Sequence, residues 1–251
     1  TLLSISSNTF AAYIAKVTKI RGKATVLLPK SKEAKKLSLG DQLFEDSSLL
    51  TYKSSYLQIT FIDDSVMNIG SQSKLILTKF DNQSNHKIAN LIKGQLRTYI
   101  KNEPKKQKNK RVKFIIGTQT AALGVRGTEF ETIYNEKSNA TTLLTYNGEV
   151  LIKKKEKAQP TSPKVKETLS FNNIVKSMEK ESTVVSEGKY LGVTKSQKEI
   201  TTPIKISPVQ FSLLKNKNII KKEVSKIVKP DAIKSEDDFK NKTLPGGFID
   251  F

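Results

Sequence analysis

The stretch Gly124-Val125-Arg126-Gly127-Thr128-Glu129-Phe130 decides the fold that this sequence predicts. Its two glycines, Gly124 and Gly127, permit turn or bulge geometry that residues with a side chain resist. An apolar run at 114–116 precedes the stretch, and the alternation of Phe130, Thr132 and Tyr134 behind it is typical of a strand. The sequence therefore predicts a tight apolar turn between two strands.

Arg126 stands at the centre of this turn and is one of only 4 arginines in a chain with 40 lysines. A planar guanidinium donates hydrogen bonds in two directions, whereas an ammonium group acts as a point charge. We therefore interpret Arg126 as a structural residue that locks the turn by holding carbonyls or a carboxylate. Direct binding of a partner by Arg126 is the alternative.

Short strands separated by glycine turns are predicted from 13 to 152, because apolar and polar residues alternate with a period of two. A weak repeat places a glycine between polar residues ahead of an apolar strand, at Gly22, Gly94, Gly148 and loosely at Gly188. Repeated strand-turn units predict an all-β fold, either solenoid-like or sandwich-like. Asn147 and Gly148 form the clearest hairpin signal, since both tolerate the positive φ of a type I′ turn.

The segment Val125-Arg126-Gly127-Thr128, followed by an aromatic residue at Phe130, resembles the signature of the FecR-type domain. The resemblance runs from about 13 to 152 through further segments in matching order, at 20–22, 39–43, 61–65, 75–77, 92–96 and 146–150. In the best-known members, a periplasmic domain of this type relays a transporter's ligand state across the inner membrane to a sigma factor. The resemblance implies a non-catalytic exported module of a Gram-negative bacterium, in the periplasm or at the cell surface, that binds an envelope protein or a glycan in scaffolding or signalling.

The chain divides into five predicted regions. Residues 1–11 resemble the end of a secretory signal peptide with cleavage after Ala11, and 12–152 form the FecR-like β domain. Residues 153–206 combine a lysine- and proline-rich linker with further strands, expected at 171–175, 183–186 and 190–193. A helix is predicted over 207–229, because Ser207-Pro208 is a favourable helix start, and 230–251 is a flexible tail.

The net charge of +20 is spread along the whole chain. Residues 101–113 hold seven basic residues and form either a solvated loop or a contact site for a polyanion such as lipopolysaccharide, anionic lipid or nucleic acid. The candidate contact residues are Lys105, Lys106, Lys108, Lys110 and Arg111. Because lysine outnumbers arginine so strongly, general attraction to anionic surfaces is more strongly indicated than base-specific reading.

The sequence predicts no enzyme, no cofactor and no metal site. The chain has no cysteine, and its one histidine, His86, lies in a polar run that is typical of a loop. Asp63 and Asp64 are adjacent, and we interpret them as turn residues. No run approaches the roughly 18 apolar residues of a transmembrane helix.

Overall fold

The protein is described by a computed structural model in residues 12–81, 86–101, 112–155 and 171–216. Two helices are found in these residues, α1 (Phe171–Glu181) and α2 (Pro208–Asn216). The remaining elements are strands. In chain order they are β1 (Ala15–Arg21), β2 (Ala24–Leu27), β3 (Ala34–Lys36), β4 (Gln42–Leu43), β5 (Ser48–Thr51), β6 (Tyr56–Phe61), β7 (Val66–Ile69), β8 (Lys74–Asp81), β9 (His86–Tyr99), β10 (Phe114–Gly117), β11 (Ala121–Val125), β12 (Glu129–Asn135), β13 (Ala140–Asn147), β14 (Glu149–Lys154), β15 (Thr183–Ser186), β16 (Lys189–Thr194) and β17 (Ile204–Lys205).

The strands form two layers that share the long strand β9. Sheet A has the order β4-β1-β6-β7-β9-β12-β13-β16-β17. Sheet B has the order β3-β2-β5-β8-β9-β10-β11-β14-β15. All of these pairs are antiparallel except β9 with β10. The first part of β9 lies in sheet B, and the part from Gly94 onwards lies in sheet A.

The hydrophobic core lies between the two sheets. In β6, buried Leu57, Ile59 and Phe61 alternate with half-buried polar residues, as expected for a strand with one face on a core. Phe61 of sheet A stacks on Phe80 of sheet B, with ring centroids 5.2 Å apart, and meets the edge of Phe114 at 5.8 Å. This architecture confirms the all-β prediction.

The chain crosses between the sheets at tight corners, each of which contains a residue with positive φ. These φ angles lie between +52° and +93°, at Gly22, Ser54, Gln72, Gly94, Gly127, Gly148 and Gly188. Neighbouring corners pack closely, so that a Cβ added at Gly94 would lie 2.6 Å from the backbone Cα of Ser73. The weak glycine repeat of the sequence therefore marks corners that stack beside one another, which gives the two-layered fold a solenoid-like regularity.

The predicted hairpin at Asn147-Gly148 is wrong. The two strands that flank this dipeptide lie in different sheets, because β13 pairs with β12 and β16 while β14 pairs with β11 and β15. Only Gly148 of the pair has a positive φ, whereas a type I′ turn needs two such residues. The dipeptide is a corner between the layers.

The strand predicted at 171–175 is also wrong, because these residues begin α1. Phe171, Val175 and Met178 recur at helical spacing and are all buried. Phe171 and Val175 form a second apolar cluster with Val112 and Ile115, which lie just before and within β10. The strands predicted at 183–186 and 190–193 are confirmed as β15 and β16.

A second compact unit begins at Val209. Helix α2 begins at Pro208, as the Ser207-Pro208 pair predicts, and none of its described residues is buried. The rest of the predicted helix, the segment 1–11 and the tail 230–251 lie outside the described residues. No helix within the described part of the chain has the length and apolar character needed to cross a membrane.

Candidate functional site

A row of outward-facing side chains crosses sheet A perpendicular to its strands. Each member is the cross-strand partner of the next, so their side chains stand next to one another on one face. The row changes from amide through charged to apolar and aromatic residues as it crosses the sheet. It consists of Gln58, Asn68, Arg97, Glu131, Leu144, Tyr190 and Ile204.

Arg97 of β9 lies at the centre of this row and is only 7% exposed. Its Nε and Nη2 atoms both donate to Oε1 of Glu129, at 3.0 and 2.7 Å. Its guanidinium carbon lies 3.8 Å from the ring centroid of Tyr146, which is cation–π distance. The arginine is therefore held by a carboxylate and by an aromatic ring.

Tyr146 extends this network to a second carboxylate. Its hydroxyl donates to Oε2 of Glu131 at 2.8 Å, and the side-chain amide of Gln95 donates to the other oxygen of Glu131. Burial raises the pKa of Tyr146, and the negative charge of Glu131 raises it further. The phenol therefore stays protonated at neutral pH and remains a hydrogen-bond donor to Glu131.

A third polar group lies on the β6 and β7 side of Arg97. The hydroxyl of Tyr56 and the amide nitrogen of Gln58 both donate to Oδ1 of Asn68, the latter at 2.8 Å. Burial raises the pKa of Tyr56 as well. Donors and acceptors are thus matched from β6 to β13 across the middle of sheet A, and hydrogen bonds hold the side chains in place.

Exposed apolar and aromatic side chains border this polar centre on the same face. Tyr99 is 47% exposed, Ile133 is 40% exposed and Tyr190 is 37% exposed, and Ile204 on β17 is 56% exposed. We call this surface, consisting of Arg97, Glu129, Glu131, Tyr146 and the four exposed residues, the Arg97 face. Tyrosine and arginine surrounded by accessible apolar area are the residues that carry most of the energy in protein interfaces.

The outer face of sheet B is different around β10, because α1 covers it there. Ile115 is buried there under Phe171 and Val175, and the ring of His86 stacks on Phe171 with 3.9 Å between centroids. His86 thus begins β9 instead of lying in the predicted loop. A Cβ at Gly124 would lie 3.0 Å from both Met178 of α1 and Val112, so this glycine allows the helix to approach the sheet.

The predicted motif residues link the two sheets. Gly124 and Val125 end β11 in sheet B, Arg126 and Gly127 form the corner, and Phe130 enters the core from β12 in sheet A. Gly127 has the positive φ expected of a turn, whereas Gly124 lies within a strand and serves packing. Thr128 is buried, and within the described residues its hydroxyl has no hydrogen-bond partner. Arg126 is half-buried at the corner.

The predicted polyanion contacts Lys105, Lys106, Lys108, Lys110 and Arg111 lie outside the described residues.

The sequence analysis did not identify Arg97, although the scarcity of arginine that drew attention to Arg126 applies equally to Arg97. It also missed the ion pair of Asp63 with the buried ammonium of Lys87. Burial opposes ionisation of Asp63, but the bond to Lys87 lowers its pKa below the ordinary value.

The described residues do not suggest a reaction. In this part of the chain, no three histidine or acidic side chains converge closely enough to hold a metal ion. The carboxylates of the Arg97 face already accept hydrogen bonds from arginine, tyrosine and glutamine, which keeps them as fixed acceptors. The arrangement is suited to recognition of a surface.

Comparison with known proteins agrees with the resemblance inferred from the sequence. Residues 47–151 match the family model described as FecR protein. None of the curated proteins matches the sequence. Two crystal structures of a proposed anti-sigma factor from Parabacteroides distasonis, at 2.50 and 1.65 Å resolution, are similar to this chain with 13% and 12% identity and TM-scores of 0.46 and 0.45. Each match covers 66% of this chain and 63% of the other, so the chain spans less than two thirds of the length of those proteins.

Proposed function

Because residues 47–151 carry a FecR-type domain, we propose that the protein is a non-catalytic module of the bacterial envelope that recognises another envelope protein or a glycan. The Arg97 face is the recognition surface. The observation that carries this proposal is the combination of a prearranged polar centre with exposed Tyr99, Ile133, Tyr190 and Ile204 on one side of sheet A.

A fixed polar centre favours binding energetically. Side chains that are already held in one conformation lose little rotational freedom when a partner arrives. The half-buried carboxylates of Glu129 and Glu131 meet this condition, because the buried Arg97 and Tyr146 hold them in place. The neighbouring tyrosines supply apolar area and a hydroxyl at low entropic cost. Recognition on this face fits a scaffolding or signalling role of the FecR type.

The test is affinity capture from envelope extracts at about 0.3 M salt, where exposed charge contacts are strongly screened. The bait carries either Tyr99→Ser with Tyr190→Ser, or the control pair Leu39→Ser with Val184→Ser. The control residues are exposed apolar side chains that lie off the Arg97 face, 68% and 43% exposed. We expect one defined protein or glycan on wild type and control, and at least about tenfold less on the face variant. Equal recovery on all three baits would contradict the proposal.

Export to the periplasm or cell surface is part of the proposal and is supported by the resemblance of 1–11 to the end of a signal peptide. N-terminal sequencing of the mature protein from fractionated cells tests it. The expected mature chain begins at Ala12 in the envelope fraction. A chain that retains residues 1–11 and stays in the cytoplasm would refute export.

Polyanion binding is the alternative function, supported by the net charge of +20. It would act through exposed lysine clusters on nucleic acid or lipopolysaccharide. In that case affinity for these polymers falls steeply with salt, and the substitutions Lys105→Gln, Lys106→Gln, Lys108→Gln and Lys110→Gln together abolish it. Binding that persists in moderate salt, or whose affinity is unchanged by these substitutions, would exclude this alternative.

A further inference from the structure

A cleft with a volume of about 1430 Å³ is lined by parts of β8, β9 and β14 and by the segment that follows β16, and its lining includes no residue of the Arg97 face. It lies beside the turn that joins β10 to β11, at Thr118 and Thr120, and beside the end of β14. This volume exceeds the roughly 300–1000 Å³ that is typical of small-molecule pockets. A segment of a polymer fits its size better than a metabolite does.

One wall of the cleft is formed by β9 between its pairings with β10 and β12. Strand β10 pairs with β9 only as far as Asn90, and β12 begins to pair with β9 at Gly94. Leu91 and Ile92 line the cleft between these points. Leu91 is fully buried and Ile92 is half-buried, so β9 forms a closed wall and not an open edge for strand pairing.

Positive charge dominates the rest of the lining. Five lysines and two glutamates line the cleft, and one of the glutamates, Glu181, is already paired with Lys153. The lysines without a described carboxylate partner are Lys154, Lys155, Lys195 and Lys198.

Lys155 is positioned by the protein backbone. Its ammonium donates to the carbonyl oxygen of Thr118 at 2.6 Å. A Cβ at Gly117 would lie 3.2 Å from this ammonium and 2.2 Å from Oδ1 of Asn90, so glycine is needed for the arrangement. The ammonium is partly desolvated, and this burial lowers its pKa. Lys155 as a whole is exposed, so its ammonium remains accessible to a carboxylate partner.

From this geometry we infer that the cleft binds an extended acidic segment of a partner polypeptide. Carboxylates of the segment contact Lys154, Lys155 and Lys195. Threonine, serine and glutamine supply the other polar groups of the cleft, and no aromatic ring is found among the described residues that line it. Nucleic acid bases and sugars bind preferentially where aromatic rings allow stacking, so these ligands are less well matched.

The first experiment measures fluorescence anisotropy of a labelled ten-residue peptide of alternating glutamate and threonine at about 0.15 M NaCl. The cleft variant combines Lys154→Gln, Lys155→Gln and Lys195→Gln. The control combines Lys32→Gln, Lys35→Gln and Lys36→Gln, which are exposed at and before β3 and change the net charge equally. We expect at least tenfold weaker binding for the cleft variant and less than twofold for the control. Equal losses of peptide affinity in the cleft variant and the control, or no binding of the peptide by wild type, would overturn the inference.

A competition measurement does not depend on variants. Single-stranded dT10 at an equal concentration should leave the peptide bound, because the lining offers no aromatic ring for stacking. Displacement of the peptide by dT10 would assign the cleft to general polyanion binding.

Discussion

The outer faces of the two sheets belong to the same fold but are used in opposite ways. On sheet B, α1 buries Ile115 under Phe171 and Val175 in a small apolar cluster. On sheet A, the corresponding surface holds Arg97 in a hydrogen-bonded polar network and leaves apolar side chains such as Ile133 accessible. The difference is that α1 covers part of the outer face of sheet B, whereas the outer face of sheet A stays accessible.

The side chains of the strands account for this difference. All four residues of β10 are buried, so this strand has apolar residues on both faces. Gly124 in the neighbouring strand leaves space for Met178 of the helix. Strand β12 in sheet A instead alternates buried residues with half-buried or exposed ones such as Glu129 and Glu131. The β10 region of sheet B is therefore covered by α1, whereas the β12 region of sheet A faces water.

The largest expected difference in stability is between alanine substitution of Ile115 and alanine substitution of Ile133. Ile115→Ala should lower the free energy of unfolding by about 2–5 kcal/mol, because it leaves a cavity under α1. Ile133→Ala, at an exposed position, should change it by no more than about 0.5 kcal/mol. Urea denaturation of the two variants measures both values. A similar loss of unfolding free energy in both variants would show that Ile133 on the Arg97 face is also covered.

The next effect concerns Arg97. Arg97→Met should lower the free energy of unfolding by about 2–3 kcal/mol, because Glu129 keeps its charge in a partly buried place without its cation. Arg97→Met combined with Glu129→Gln should cost less than Arg97→Met alone. Thermal unfolding of the single and double variants gives the coupling energy. If the two substitutions have additive effects on the free energy of unfolding, the ion pair of Arg97 with Glu129 does not stabilise the Arg97 face.

Tyr146→Phe should cost about 1.5 kcal/mol, since it removes a hydrogen bond to a carboxylate. The raised pKa of Tyr146 means that its contribution is complete below the ordinary tyrosine pKa, about 10, and is lost as pH rises through the folded value. Wild type should therefore lose stability faster than Tyr146→Phe above about pH 10. Parallel stability curves from pH 8 to 11 would show that the tyrosine is not buried in this network.

The smallest expected effect is at Gly124. Gly124→Ala should lower stability by about 1 kcal/mol, because the added methyl group contacts Met178 and Val112 at 3.0 Å. In a Met178→Ala background the same substitution should cost less, because only the contact with Val112 remains. Denaturation of the four combinations measures this coupling. An equal cost in both backgrounds would place the origin of the effect in the strand itself and not in helix packing.

The sequence predicted those features that depend on local chemistry. Glycines at Gly22, Gly94, Gly148 and Gly188 mark corners because a positive φ is a property of single residues. The alternation of Phe130, Thr132 and Tyr134 gave the correct strand. The family resemblance is confirmed over 47–151.

Features that depend on distant partners were not predictable. The range 171–175 contains residues that suit a strand or a helix, and packing of α1 over Ile115 decides between them. The Asn147-Gly148 pair resembles a hairpin locally, but strand pairing on both sides makes it a corner. The contact of Arg97 with Glu129 joins residues 32 positions apart, which no local pattern reveals.

The most direct test of the recognition face is site-specific photo-crosslinking in cells that produce the full chain. A photoreactive phenylalanine derivative replaces Tyr190 on sheet A or Val184 on sheet B, two exposed positions on different sheets. We predict a discrete crosslinked partner from position 190, lost when Tyr99→Ser is added, and none from position 184. The same partner from both positions, or from position 184 alone, would contradict the assignment of recognition to the Arg97 face.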